Sequence, residues 1–471
     1  MSEIAELSEL DLAHAGARVS GHGLDAWIAE ARELLKLAGP LALTQLAQMA
    51  ISVTDTLMLG RFSKEALAGA VLGNTLFYFT WIFASGQTAA VAPLIAHALG
   101  ADPNDTRNVR LVTRMGFWAV LILSVPLVIF LMFAKSILLL LGQEPALADA
   151  ASRFVVPLSL GLPFSLCFQV LRSYATALSR PNSALVVMLF TIVFNAVGDY
   201  ILIFGHFGAP RLGLMGSGIA SAGSLVFSFA VMALVVRSKQ TLSRCHVFRE
   251  AWRPDWSRLA EIYRLGMPIG ITMLFEATLF FSANFIMGTF GVAAVAAHAI
   301  AMSVPSVTFM VPLGIGMAAT VRVGLAAGAR DGEAVRRAGY SAMIVAAAFM
   351  AVCTVLIFVF TFQIAALYLP PSAVNLPVLL LAVSFLQWAG AFQVFDGLQV
   401  VAALSLRGLK DARMPMWLAG ASYWLVGFPT CIWLGKGLHM QGVGVWMGLS
   451  LALVAAAAVM CGRFWYLSRK R

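Results

Sequence analysis

The chain has 471 residues, 60% hydrophobic and only 11% charged, with a mean hydropathy of +0.87. Soluble domains carry roughly 25% charged residues, so this composition excludes a water-soluble body of this size. The formal net charge of +10 therefore has to be explained by a membrane before any nucleic acid is invoked.

Residues 1–35 differ from the rest. They hold Glu3, Glu6, Glu9, Asp11, Asp25, Glu30 and Glu33, with no basic leader and no apolar core. This is the pattern of a cytosolic tail, not of a cleaved signal peptide. Beyond it, apolar runs fall near 38–60, 68–98, 110–133, 152–175, 183–205 and 213–236. A hydrophilic stretch, 238–261, follows, and then six more runs near 262–287, 292–320, 338–361, 376–402, 414–435 and 442–466. Runs of this length span a bilayer as helices, because only helices satisfy their own backbone in lipid. The expectation is an all-α integral membrane protein of twelve transmembrane helices. Its N-lobe is 36–237, its cytoplasmic linker 238–261 and its C-lobe 262–471.

If the N-terminus is cytoplasmic, 26 of the 32 Lys and Arg fall on the cytoplasmic side. Only Arg61, Lys64, Lys135, Arg153, Arg211 and Lys436 lie outside. The positive-inside rule produces this bias, and one span more or fewer would scramble it. Both termini are expected in the cytoplasm of a bacterial inner membrane. The basic excess is thus topological, and no nucleic-acid partner is called for. The five cysteines show neither metal-ligand spacing nor a disulfide framework.

The two halves repeat. Leu37-Ala-Gly-Pro40 through Gly60 aligns with Leu265-Gly-Met-Pro268 through Gly288 at a constant shift of 228. Leu214-Met-Gly-Ser-Gly-Ile219 echoes Met440-Gln-Gly-Val-Gly-Val445. Six spans return the chain to its starting side, so the halves are parallel repeats forming two pseudo-symmetric lobes. That is a transporter architecture, with the substrate site expected between the halves.

Of the 22 Asp and Glu, four fall inside apolar spans: Asp55, Asp199, Glu276 and Asp396. An Asp at a helix centre costs about 2.5–3.5 kcal/mol on insertion scales, and no Lys or Arg sits mid-span to pair with these. They are candidate sites for a proton, a metal cation or a cationic substrate. Asn195 stacks one turn from Asp199, and Gln48 precedes Asp55 on nearly the same face. Asn284 lies two turns beyond Glu276, while Gln393 and Gln399 flank Asp396. Amide oxygens beside carboxylates suit a hard cation or a proton site.

At these residues the sequence resembles the multidrug and toxic compound extrusion (MATE) family, in its NorM-like bacterial branch. The likeness rests on Gly39-Pro40, Asp55-Thr-Leu-Met-Leu-Gly60, Asn195-Ala-Val-Gly-Asp199-Tyr200, Glu276, and Asp396-Gly-Leu-Gln399 leading into Leu406-Arg407-Gly408. The resemblance implies a cation-coupled antiporter that exports organic cations or amphipathic drugs by alternating access, without a cofactor and without ATP. It also implies a cation or proton site at Asp55, Asn195 and Asp199, where Na⁺ could bind, and a C-lobe counterpart at Glu276 and Asp396. One departure stands out. A Tyr expected one turn before Asp396 is Phe392, which withdraws a hydroxyl ligand and tilts the coupling ion from Na⁺ toward H⁺. A monomer surrounded by lipid is expected.

Other classes fit less well. The chain has no His-Glu-Xaa-Xaa-His and no Gly-Xaa-Xaa-Xaa-Xaa-Gly-Lys motif, which argues against zinc hydrolysis and phosphate-loop chemistry. It is not expected to be an enzyme. The alternative is a lipid-linked precursor flippase, which would call for cationic side chains where this chain has carboxylates.

Overall fold

The computed structural model describes residues 23–250 and 252–470. Every regular element among them is helical. We number the spans α1 (Leu24–Phe62), α2 (Lys64–Ala101), α3 (Thr106–Met132), α4 (Pro145–Ser159 with Leu162–Ala177), α5 (Asn182–Phe204) and α6 (Leu214–Ser238). The second set is α7 (Trp256–Gly288), α8 (Val292–Gly328), α9 (Gly332–Tyr368), α10 (Leu376–Gly408), α11 (Arg413–Gly437) and α12 (Gln441–Arg469). Eleven are long and apolar enough to cross a membrane as they stand, and the two arms of α4, bent by 47°, make a twelfth. The bend falls where Pro157 precedes Gly161 and Pro163 opens the second arm, and prolines of this kind are an ordinary cause of kinks.

The boundaries have local causes. Ser63 Oγ accepts the Ala66 amide at the start of α2, Asp105 Oδ1 the Asn108 amide at α3, and Asp331 Oδ1 the Ala334 amide at α9. Each satisfies a donor that the first helical turn leaves over. The helix α1 starts at Leu24, inside the stretch expected to be tail. Pro40 and Pro268 consequently lie in the interiors of α1 and α7, not in their first turns. Each removes an intrahelical hydrogen bond there.

Contacts divide the chain into two units. One runs from Leu43 to Gly270; the other joins the described residues up to Ala42 with those from Ile271 onward. The breaks at Ala42 and Gly270 are 228 residues apart, the shift of the sequence repeat. The linker packs within the first unit. Arg114 Nη1 donates to the Glu250 carbonyl at 3.1 Å, Phe248 stacks on Phe117, and Tyr263 Oη donates to the Ala119 carbonyl at 2.8 Å. The opening of α1 packs within the second unit, where Arg322 grips Glu30 through both guanidinium edges.

Helix approach is close where side chains vanish. A Cβ on Gly86 would lie 2.4 Å from the Gly266 carbonyl and 2.5 Å from the Gly270 amide, so α2 and the start of α7 touch backbone to backbone. In the second unit Gly448 of α12 meets the Cys431 amide of α11 at 2.5 Å in the same sense. Small residues permit this packing in lipid, where apolar surface gives helices no preference for one another.

Candidate functional site

Within the first unit, α1, α5 and α6 bring five polar side chains together. Asp55 comes from α1, Asn195 and Asp199 from one face of α5, and Ser217 and Ser221 from one face of α6. Ser221 Oγ donates to Asp55 Oδ2 at 3.0 Å. The Asp199 carboxyl and the Asn195 amide are immediate neighbours of the Asp55 carboxyl, and Ser217 adjoins Asp199. Asn195, Asp199 and Ser217 are fully buried. Asp55 Oδ1, both Asp199 oxygens, both Asn195 amide atoms and Ser217 Oγ nevertheless have no well-aligned hydrogen-bond partner among the described residues. Buried polar atoms are nearly always satisfied, and two facing carboxylates cannot both stay ionised cheaply in a low dielectric. The cluster therefore has the chemistry to hold a proton or a small cation.

A second cluster lies in the other unit. Gln399 Nε2 of α10 donates to Glu276 Oε1 of α7 at 2.9 Å, and Tyr423 Oη of α11 donates to Gln399 Oε1 at 3.0 Å. Asp396 is within electrostatic range of Glu276 and beside Gln399, with its Oδ1 unmatched. Arg407, in the last turn of α10, also acts on Glu276. The sequence places no cation mid-span beside the buried acids, yet this guanidinium acts on Glu276 from the carboxyl-terminal end of α10. Tyr423 sits in a π-helical segment, Ala421–Gly427.

The expected supporting residues divide. Gln399 joins the second cluster, whereas Gln393 turns to Thr308 of α8, donating at 2.9 Å. Asn284 is exposed on α7 and belongs to neither cluster. Gln48 turns toward α4, where its oxygen accepts from Arg172 Nη1 at 3.3 Å. Phe392 is buried and stacks on Trp446 of α12, 5.8 Å between centroids.

The family model described as MatE matches residues 40–201 and again 268–433. The chain belongs to the MatE family. The match occurs once in each half, so the repeat seen in the sequence is a duplication of one family unit. Probable multidrug resistance protein NorM of Brucella suis is 40% identical over 439 residues, 93% of each chain. The protein of the same name from Mesorhizobium japonicum is 40% identical over 452 residues, 96% of each. The fold matches the crystal structure of the eukaryotic MATE transporter AtDTX14 with a TM-score of 0.84 at 21% identity, covering 94% of this chain and 98% of that one. It also matches an outward-facing multidrug resistance MATE family transporter with a TM-score of 0.82 at 20% identity, covering 94% and 96%. This MatE chain is a multi-pass membrane transporter and not an enzyme.

Sequence reasoning missed Ser217, Ser221, Tyr423 and the reach of Arg407. The serines did leave a signal. Ser217, Ser221, Ser224 and Ser228 recur at helical spacing along α6, and all four are buried. A polar stripe of that kind marks a helix face turned toward protein and not toward lipid. Tyr423 left none, since a single Tyr in an apolar span reads as packing.

Proposed function

We propose that this MatE chain is a secondary antiporter that exports organic cations and amphipathic compounds in exchange for H⁺, with Asp55 and Asp199 as the ion-binding pair. The observation that carries this reading is the buried, unmatched set of oxygens around those two carboxylates. A proton entering the cluster bridges the two acids and satisfies Asp199. Its departure restores repulsion between them, and the change is felt along α1, which Pro40 leaves short of one hydrogen bond. Asn195, Ser217 and Ser221 tune the pocket. Glu276, Asp396 and Gln399 form the corresponding site of the other unit, with Tyr423 orienting Gln399. The relatives' shared name, a probable multidrug resistance protein, supports drug-like cargo. Na⁺ is the competing ion, since the same oxygens could ligate it.

Everted vesicles, which take up an exporter's substrate from the medium, separate the two ions by their uptake of a fluorescent dye. A pH gradient without Na⁺ is expected to drive transport. If transport stops under that condition and returns with millimolar Na⁺ and no pH gradient, H⁺ coupling is wrong and Na⁺ coupling takes its place.

We further infer that both termini and the linker are cytoplasmic. Cysteine placed at His206, in the exposed connection between α5 and α6, should react with an impermeant maleimide in intact cells. Cysteine at the exposed Arg249 should react only after permeabilisation. The native Cys245 contributes little background, because burial pushes its thiol up from the ordinary range. The reverse labelling pattern would invert the topology.

A further inference from the structure

The first unit contains a buried cation that the acidic cluster does not explain. Arg172, on the second arm of α4, is 7% exposed. Its Nη1 donates to Gln45 Oε1 at 2.6 Å and to Gln48 Oε1 at 3.3 Å, both on α1. Its Nε has no partner, and no carboxylate acts on it among the described residues. A charge buried in a span is costly and ordinarily pairs with another. Two neutral amide oxygens satisfy part of its hydrogen-bonding capacity but none of its charge.

The surroundings are those of an anion site. Gln45 and Gln48 are only half-buried, so the guanidinium lies one side chain deep beneath them. Each turns its amide oxygen to the guanidinium, so each keeps an amide nitrogen as a further donor on the same side chain. Gln87 of α2 is fully buried with its amide nitrogen, a donor, unmatched among the described residues. Ser173 Oγ donates to the Thr88 carbonyl at 3.1 Å, which holds α2 against α4 at this level. A guanidinium presents a planar fork that fits a carboxylate at two points, with charge-assisted bonds roughly twice as strong as neutral ones. An arriving carboxylate would displace the two amide oxygens and leave the amide nitrogens to complete its shell.

We propose that Arg172, with Gln45 and Gln48, binds the anionic group, a carboxylate or its equivalent, of transported amphiphiles. The first unit then accepts zwitterions. Gln48 and Asp55 are seven residues apart on α1, about 10 Å along the axis, within the span of one drug-sized molecule. One end of such a molecule meets the guanidinium and the other the acidic cluster. The inference rests on the antiporter reading above and adds a substrate class to it.

The test uses a dye pair that differs at the carboxyl alone: rhodamine 110, the free acid, and rhodamine 123, its methyl ester. In vesicles, Arg172→Gln is expected to raise KM for rhodamine 110 about tenfold or more while leaving rhodamine 123 unchanged. Arg172→Lys should recover part of the loss. In wild-type protein without any gradient, benzoate should displace bound rhodamine 110, followed by anisotropy, and spare rhodamine 123. This second measurement decides the matter even where Arg172→Gln fails to fold. Equal losses for both dyes, together with no benzoate competition, make Arg172 a clamp between α1 and α4 and overturn the proposal. Export of rhodamine 123 alone by the wild type overturns it too. Export of neither dye under any gradient fails the antiporter reading itself.

Discussion

Asp55→Asn and Asp199→Asn are each expected to reduce gradient-driven efflux to the level of vesicles without transporter. The protein should remain folded and inserted. Both changes keep volume and hydrogen-bonding shape but remove the group that can gain and lose a proton. Asp55 sits between Ser221 Oγ at 3.0 Å and the Asp199–Asn195 face of α5, so an amide can occupy its place without opening a cavity. Removing a buried carboxylate from lipid should even relieve an insertion cost, and expression is expected to hold or improve. Ser221→Ala gives the contrast. It deletes one hydrogen bond, worth about 1 kcal/mol, and should slow transport only about fivefold. Glu276→Gln and Asp396→Asn extend the series to the second unit. The measurement is initial efflux rate per inserted transporter. If all four amide variants pump at the wild-type rate, the carboxylates are structural and the coupling mechanism fails with them.

The twelve spans were legible because each is a long apolar run closed by polar residues, and the duplication because Pro40 and Gly60 recur as Pro268 and Gly288. The clusters were legible in their acids, which stand out against lipid, and less so in the groups around them. Helical spacing places Gln48 near the Asp55 face, but it does not say which neighbouring helix lies there. Arg172 of α4 does, and takes the amide. Gln393 and Gln399 flank Asp396 symmetrically in sequence, yet one faces Thr308 of α8 and the other Glu276 of α7. Three residues on a helix are 300° of rotation, so flanking residues six apart point to different partners. Which unit takes the linker and the opening of α1 is hidden from the sequence for a similar reason. Polarity locates the linker, but backbone contacts at Gly86 and side chains such as Phe117 and Tyr263 decide which half holds it.

Arg322→Ala is expected to lower stability by about 3–5 kcal/mol, the cost of leaving a buried charge without its partner. Glu30 lies in the stretch whose acidity suggested a solvated tail, yet it is 3% exposed in the opening turns of α1. Arg322 Nε donates to Glu30 Oε1 at 2.8 Å and Nη2 to Oε2 at 2.6 Å, a two-point fork from α8. The pair ties the start of α1 to the second unit, beside Leu34 and Leu37 in its core. Such a pair adds little net stability over an apolar replacement, because desolvation offsets its attraction, but losing one member alone exposes the full penalty. Glu30→Leu and Arg322→Ala should therefore each lower the thermal unfolding midpoint of the detergent-solubilised protein. The double variant Glu30→Leu with Arg322→Met should recover most of that loss. The sign of the coupling is what matters: single variants that cost less than about 1 kcal/mol, the ceiling for an exposed pair, would show that water reaches this site and that the start of α1 is not held by it.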